Sequence, residues 1–595
     1  TFTVGATDAD YTTIQAAIDD IAAVGVDGPV VLNINAGEYN ERVLISGIKG
    51  LGANNTLTLQ TTSGKRDVKI FDNKYTSSGG YNPDQYKNGY GVITLFGADY
   101  VTLKDLEICT EDVYYDAVVM VKNESRHATI DNCWLHAPTE TADGDYKKSI
   151  NLVGHFAENV ANKNNDFLTV KNSLLEGGYM GVNMGGTGYV ALPKEVGGVI
   201  ENNVFKNQGY KSIYSYDELG VKILNNNIEN TVTGKKGAQA MDIVVREASE
   251  HQTVINGNRI YMAPQEYCYG IYLRELVGTA EKPVIITNNE IIIKHASSTS
   301  YGFDVVSPGQ YVNIAHNSVK MMENSGPAVM FEKIVDGNYN ITNNVLQSMS
   351  KGVVYDLKNE NNFGKVSLSH NIIYTTSTSE EIARCGKNKK YKFDEWVAAS
   401  GETGSINKMV NFLTEDVLEP ENDLGGDLLT AVKLDYVTTD INGKARPNEN
   451  ISIGAYEYDP NAMSAPQFVE GYPEVKSSID GKASIAIKAD IAATAYYILK
   501  KADEEAPTTE QLKGSEKKVT LVANTENTIN FENLETDVTY KVYFQLVSLR
   551  NIDGDAKNVE FTMTETPPAP EPPVVVAVDD KTINEGETVK LEATL

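Results

Sequence analysis

Apolar and polar positions along this chain follow a phrase that recurs: an apolar residue, a polar one, two small polar ones and at least one more apolar residue. It reads IENNVF at 200, LNNNIE at 224, INGNRI at 255, ITNNEI at 286, IAHNSV at 314, ITNNVL at 341 and LSHNII at 368. Weaker copies stand at 103 (LKDLEI), 130 (IDNCWL) and 170 (VKNSLL), so successive starts lie 27, 40, 30, 24, 31, 31, 28, 27 and 27 residues apart. Self-similarity at such a period predicts a solenoid with one coil per copy. Short β-branched and aromatic runs alternate with Gly and Asn inside each repeat, with no helical stretch and no Leu-rich consensus. The fold predicted is therefore all-β, a right-handed parallel β-helix.

In such a stack, equivalent residues of successive coils sit about 4.8 Å apart. Asn203, Asn227, Asn258, Asn289, Asn317, Asn344 and Asn371 share one register and should form a ladder at a tight corner, where Asn tolerates a left-handed backbone and amides bond from coil to coil. The ladder reads as structural. His316 and His370 fill the corner slot that Asn or Gly takes elsewhere, so they read as turn residues.

The opening, VGATDADYTTIQAAIDDIAAVG, predicts a strand and then a helix with Ile14, Ala17, Ile18 and Ile21 on one face. The terminal coil of a solenoid exposes its core unless something covers it, so this helix is expected to cap the stack. VVLNINAGEYNERVLIS and NTLTLQTT then supply the first strands. Over these sixty or so residues, the strand, the TIQAAID helix and the AGEYNERV turn resemble the start of pectin methylesterases and other pectin-lyase-like β-helix proteins, which implies the fold. The methylesterase active-site phrases (Gln-Asp-Thr, Asp-Phe-Ile-Phe and Arg-Pro-Trp) have no counterpart, and that activity is not carried over.

The repeat dissolves between 380 and 458 into TTDINGKARPNENISIGAYEYD. This ending is similar to the last coil of secreted β-helix proteins of Bacteroidetes-type bacteria, with Asp440, Gly443, Arg446, Gly454, Ala455, Tyr456 and Glu457 in the matching places, which implies terminal capping. The β-helix is thus assigned to 1–458. Beyond it ASIAIK, AYYILKK and TYKVYFQLV show two-residue alternation, with Tyr540, Val542, Phe544 and Leu546 on one face. With NLETDVTYKVYF, residues 465–566 resemble a fibronectin type III β-sandwich. TPPAPEPPVV predicts a proline-rich linker over 567–575. Residues 576–595 resemble the start of a further Ig-like domain; two strands do not fold alone, so more such domains are expected in the natural chain.

Composition narrows the partners. A net charge of −29 over 595 residues, dispersed along the sequence, argues against nucleic acid and anionic lipid. No run of eighteen apolar residues predicts a membrane span, and Thr1 opens on strand-like sequence without a leader, as in a mature protein. Cys109, Cys133, Cys268 and Cys385 are too scattered for a disulfide framework, and none shows metal-ligand spacing. No metal or cofactor is expected, calcium being the one ion admitted: the Asp-Gly-Asp loops at Asp143 and Asp145, and at Asp553 and Asp555, could hold it but read as ordinary turns.

The strand that opens each coil aligns as SIYSYDE at 212, DIVVREA at 242, GIYLREL at 270, GFDVVSP at 302, AVMFEKI at 328 and VVYDLKN at 353. Alternation points Ile213, Ile243, Ile271, Phe303 and Val329 inward. Facing out are two stripes, one of Tyr214, Tyr272 and Asp304, the other of Tyr216, Arg246, Arg274, Glu332 and Asp356. Tyrosine faces suit sugar rings, and arginine forks pair with carboxylate or sulfate. The same arginines could equally form a surface ion ladder with Glu247, Glu275 and nearby acids.

Two functions follow. The first is a secreted or cell-surface adhesin-like or glycan-binding protein, with polysaccharide or surface glycan as partner. The second is a polysaccharide lyase or glycoside hydrolase acting on uronate polymers, with Arg246 or Arg274 as charge neutraliser, or with Asp304, Glu332 and Asp356 as the carboxylates.

Overall fold

The computed structural model describes residues 1–72, 91–111, 117–139, 150–156, 164–185, 194–232, 237–264, 266–294, 299–306, 309–322, 326–333, 338–349, 352–359, 365–458, 465–548 and 551–565. The chain divides into two compact units, Thr1–Ala462 and Met463–Leu595.

The first unit is a β-solenoid of about 11 turns, built from three 13-stranded sheets. Each coil gives one strand to each sheet in turn, as Val199–Glu201 (sheet A), Val204–Lys206 (sheet B) and Lys211–Tyr216 (sheet C) illustrate. Neighbouring strands pair parallel, except that sheet C ends with Lys389–Tyr391 antiparallel to Ala383–Cys385. The recurring phrase stacks in register: Leu103, Ile130, Val170, Ile200, Ile223, Ile255, Ile286, Ile314, Ile341 and Leu368 form one column of sheet A. Every member of that column lies in the hydrophobic core, because period-two alternation turns each of them inward.

The amide ladder runs along the corner between sheets A and B, with one rung displaced from expectation. Ile200 pairs with Ile223, so the phrase of that coil begins at 223 and the rung is Asn226, whereas Asn227 begins a strand of sheet B opposite Val204. Asn258 shows the pattern. Its backbone N–H and Nδ2 donate to Asn289 Oδ1 at 3.1 and 2.9 Å, its Nδ2 also donates to the Ile223 carbonyl at 2.9 Å, and its Oδ1 accepts from the backbone and side chain of Asn226. Buried polar groups this fully paired hold the coils at fixed spacing. The left-handed conformation falls one residue earlier, at Asn202, Asn225, Gly257, Asn288, His316, Asn343 and His370, with φ between 52° and 73°. The two histidines thus occupy turn slots, as their spacing implied.

Near the N-terminus, a helix spans Ile14–Val24 with Ile14, Ala17, Ile18 and Ile21 buried. Thr13 Oγ1 accepts from Ala16 N–H, and both carboxylate oxygens of Glu41 accept from the N–H groups of Ile14 and Gln15 at 2.9 Å. The first turn's free donors are satisfied in this way. Ile406–Asn407 still stacks on Ile372–Thr375 as the last strand of sheet B, but the segment from 408 to 458 differs from expectation: rather than stacking as a last coil, it lies along the flank of earlier coils. Arg446 donates to Asn288 Oδ1 and to Glu457, Ala455 N–H bonds Ser318, and Tyr456 hydroxyl donates to Glu290 at 2.6 Å.

The second unit holds two antiparallel sheets, of three and four strands. Tyr540, Val542, Phe544 and Leu546 all enter its core, as alternation required. The proline-rich 567–575 segment, residues 576–595 and the Asp143–Asp145 loop lie outside the described residues. Asp553 and Asp555 are engaged internally, by Lys513 and by the Phe468 N–H. Among the described residues no helix is long and apolar enough to cross a membrane.

Candidate functional site

The outer face of sheet C carries the candidate residues, in a register that redistributes them. Ile213 pairs with Met241, then Ile271, Phe303 and Val329. Ile243, expected in that column, is inward but one pleat further on, beside Ser215 and Leu273. A two-residue slip preserves the face, so alternation cannot detect it. The first outward row is therefore Tyr214, Asp242, Tyr272, Asp304, Met330, Asp356 and Arg384. Asp356 belongs to this row, not the second. The second row is Tyr216, Val244, Arg274 and Val306. Arg246 lies two residues past it, and Glu332 sits at a register shift.

The structure nonetheless brings Tyr214, Tyr216, Arg246, Tyr272 and Arg274 together, through acids that sequence reasoning passed over. Arg274 forks onto Asp242, Nε to Oδ1 and a terminal nitrogen to Oδ2, both at 2.8 Å. Lys211 donates to the same carboxylate at 2.5 Å. Arg246 forks onto Asp217 with contacts of 3.1 and 2.6 Å, and Lys194 donates to it at 2.7 Å. Asp217 and Asp242 are fully buried, and each carries one lysine and one arginine from different coils. These replace the expected ladder to Glu247 and Glu275. They also occupy the Nε edge of each guanidinium, while both arginine side chains stay partly exposed. In Asp217 the two cations outweigh burial and hold the carboxyl below its ordinary value.

These anchored cations support an aromatic wall. The Arg246 guanidinium lies 4.7 Å and that of Arg274 6.0 Å from the Tyr216 ring centre, and Arg274 is 5.2 Å from Tyr272. Lys211 sits 4.0 Å over Tyr214. Tyr269 stacks on Tyr272 at 5.5 Å and contacts Tyr301 at 5.4 Å. Rings held by neighbouring cations lose side-chain freedom before any ligand arrives. Burial pushes the phenols of Tyr214 and Tyr272 up to about 12, so both stay neutral donors.

Beyond Tyr272 the row becomes acidic. Asp356 is held by Arg384, and Glu332 pairs with Lys358. Asp304 is different: it is 2% exposed, and its Oδ1 has no hydrogen-bond partner among the described residues. Burial first, and then the negative charge of Glu332, push its carboxyl up to about 8, with Lys358 only partly compensating. It is a protonated acid at neutral pH, beside the three tyrosines.

An open polar groove of about 530 Å³ lies elsewhere, among Ser46, Phe96, Asp99, Glu124 and Arg126. Arg126 is paired there with Glu124. Among the described residues the groove is lined by no tyrosine, and its acids Asp99 and Glu124 are both partnered by Arg126, so the chemistry favours the sheet C wall.

No family model matches the chain, and no curated protein sequence matches it. Solved structures do, at low identity. A surface adhesin of Streptococcus pneumoniae, PfbA, is 14% identical over 61% of this chain and 87% of its own, with a TM-score of 0.36. A lacto-N-biosidase from Eubacterium ramulus is 14% identical over 68% of each chain, TM-score 0.38. The rice weevil pectin methyl esterase is 13% identical over 47% of this chain and 80% of its own, TM-score 0.28.

Proposed function

We propose that this is a secreted or cell-surface β-helix protein that binds a glycan on the outer face of sheet C. The observation that carries the reading is the clamped wall of Tyr214, Tyr216, Tyr269 and Tyr272, whose flanking arginines already spend their forks on Asp217 and Asp242. Aromatic faces pack against the C–H faces of sugar rings, and phenols and the protonated Asp304 offer hydrogen bonds to hydroxyls. Because each arginine already spends its Nε edge on a buried aspartate, the glycan favoured is a neutral one rather than a uronate polymer. In this reading the Ile14–Val24 helix closes the first coil, and the second unit is a fibronectin type III-like spacer. That assignment is supported by Tyr540, whose hydroxyl accepts from the Glu535 N–H just upstream of its strand.

A second reading, glycoside hydrolysis, is favoured by Asp304 itself: a carboxyl that keeps its proton at neutral pH near a second carboxyl, Glu332, is the kind of pair that such chemistry uses. An immobilised panel of neutral and uronate-containing oligosaccharides, followed by a reducing-end assay on every binder, separates the readings. Saturable binding of neutral glycans without product supports the first. Product formation lost in Asp304→Asn supports the second, and selective binding of uronate polymers overturns the neutral-glycan reading.

A further inference from the structure

On the outer face of sheet B, far along the chain from the tyrosine wall, stacking makes neighbours of residues that the sequence keeps apart. Glu107 and Cys109 alternate along one strand, and His136 lies in the next coil directly opposite Cys109. One ligand atom from each, a carboxylate oxygen, the thiol sulfur and an imidazole nitrogen, lie within 4.8 Å of one another. We propose that Glu107, Cys109 and His136 form a binding site for a single divalent transition ion of the zinc class, bridging two coils.

The donor set argues for this class of ion. Thiolate and imidazole together select borderline-soft metals, whereas calcium and magnesium take oxygen cages. A thiolate, a carboxylate and a neutral imidazole carry two negative charges, so a dication leaves the cluster neutral. Three protein ligands leave a fourth tetrahedral position open. Preorganisation is already present: His136 Nε2 and Glu107 Oε1 are 3.0 Å apart, which fixes both side chains before an ion arrives. The His136 ring also packs against Trp134, 4.4 Å away between centres. Access is through the partly exposed carboxylate and imidazole, at 16% and 26% exposure, while Cys109 lies at the closed end at 2%.

The surrounding charges are mixed. Lys69 pairs in register with Glu107 and forms an ion pair with Glu38, Glu176 lies opposite His136 on the other side, and Glu111 is close enough to act on the thiol. Burial pushes the Cys109 thiol up to about 12, so without metal it holds its proton, and loading releases that proton to solvent as the metal–sulfur bond forms. The other three cysteines are buried, and Cys133 Sγ is turned to the backbone carbonyls of Leu103 and Asp131.

The test is a cobalt(II) titration of the untagged full chain, followed by zinc competition. One equivalent should bind with a thiolate-to-metal charge-transfer band in the near ultraviolet, and zinc should abolish it. Cys109→Ser should lose the band, and His136→Ala should weaken binding at least tenfold, while circular dichroism of both variants stays that of the wild type. A titration with no charge-transfer band overturns the proposal. So does a band that survives Cys109→Ser, which would place the ion elsewhere. If either variant misfolds, Glu107→Gln, which keeps the hydrogen-bonding shape, must lower the affinity for the proposal to stand.

Discussion

Replacing Asp304 by asparagine removes a titratable proton while keeping the shape of the side chain, and its consequence depends on pH in a way that can be worked out. The buried carboxyl titrates at about 8 instead of 3.8. The folded protein therefore keeps this proton where the unfolded chain has already lost it. Stability from this group is complete below pH 3.8, falls by about 1.4 kcal/mol per pH unit above it, and levels off above about pH 8. The whole span is worth on the order of 6 kcal/mol. Asparagine has nothing to titrate, so Asp304→Asn should melt close to wild type at pH 4 and at a progressively higher midpoint than wild type up to pH 8. A solenoid need not unfold in one step, so the quantity to compare is the difference between the two proteins at each pH, by thermal or urea denaturation from pH 4 to 9. A difference that stays flat would mean that Asp304 is ionised and paired, and would refute its role as a neutral acid in the site.

Other perturbations follow from the same packing. Asn258→Ala should lower stability by about 2–5 kcal/mol, because it strands the buried Asn226 N–H and the Ile223 carbonyl; urea midpoints check the size, and hydrogen exchange should open first at those coils. Arg274→Ala leaves Asp242 buried with Lys211 as its remaining cation, and a destabilisation of about 1.5–3 kcal/mol is expected from the lost charge-assisted hydrogen bonds; an unchanged melting point would mean that Arg274 does not hold Asp242 in solution. Inside the solenoid, burial and the neighbouring Glu195 push Glu218 well above its ordinary value, and Glu218 Oε2 faces His155 Nδ1 at 4.0 Å. Glu218→Gln should therefore raise the melting midpoint more at pH 8 than at pH 5, and the reverse order would show that Glu218 is charged in the fold.

The architecture was legible because it depends on repetition. A column of inward aliphatics, a left-handed corner and a buried amide recur in each phrase, and even the faint copies at Leu103, Ile130 and Val170 fall in register. The misplacements have local causes. Three consecutive asparagines at Asn225, Asn226 and Asn227 make a one-residue shift invisible to pattern, and Ile243 and Met241 share a face, so alternation accepts either. The site was harder to read because its energetics lie between coils. Asp217 stands 29 residues before Arg246 and Asp242 stands 32 before Arg274, roughly one coil in each case, a spacing that could have flagged both pairs. Cys109 and His136 are likewise 27 apart, which along the chain looks like isolation and in the stack is adjacency. The neutrality of Asp304 had no sequence signal, since it comes from burial and from what fails to reach its Oδ1.

Hydroxyl-radical footprinting of the full chain, with and without a saturating neutral oligosaccharide selected from the panel, addresses the sheet C wall most directly. Tyr214, Tyr216, Tyr269 and Tyr272 should lose modification on binding, while Tyr261 on sheet B and Tyr496 in the second unit keep theirs. Protection that falls on Tyr261 or Tyr496 and leaves the sheet C tyrosines as reactive as before would contradict the account.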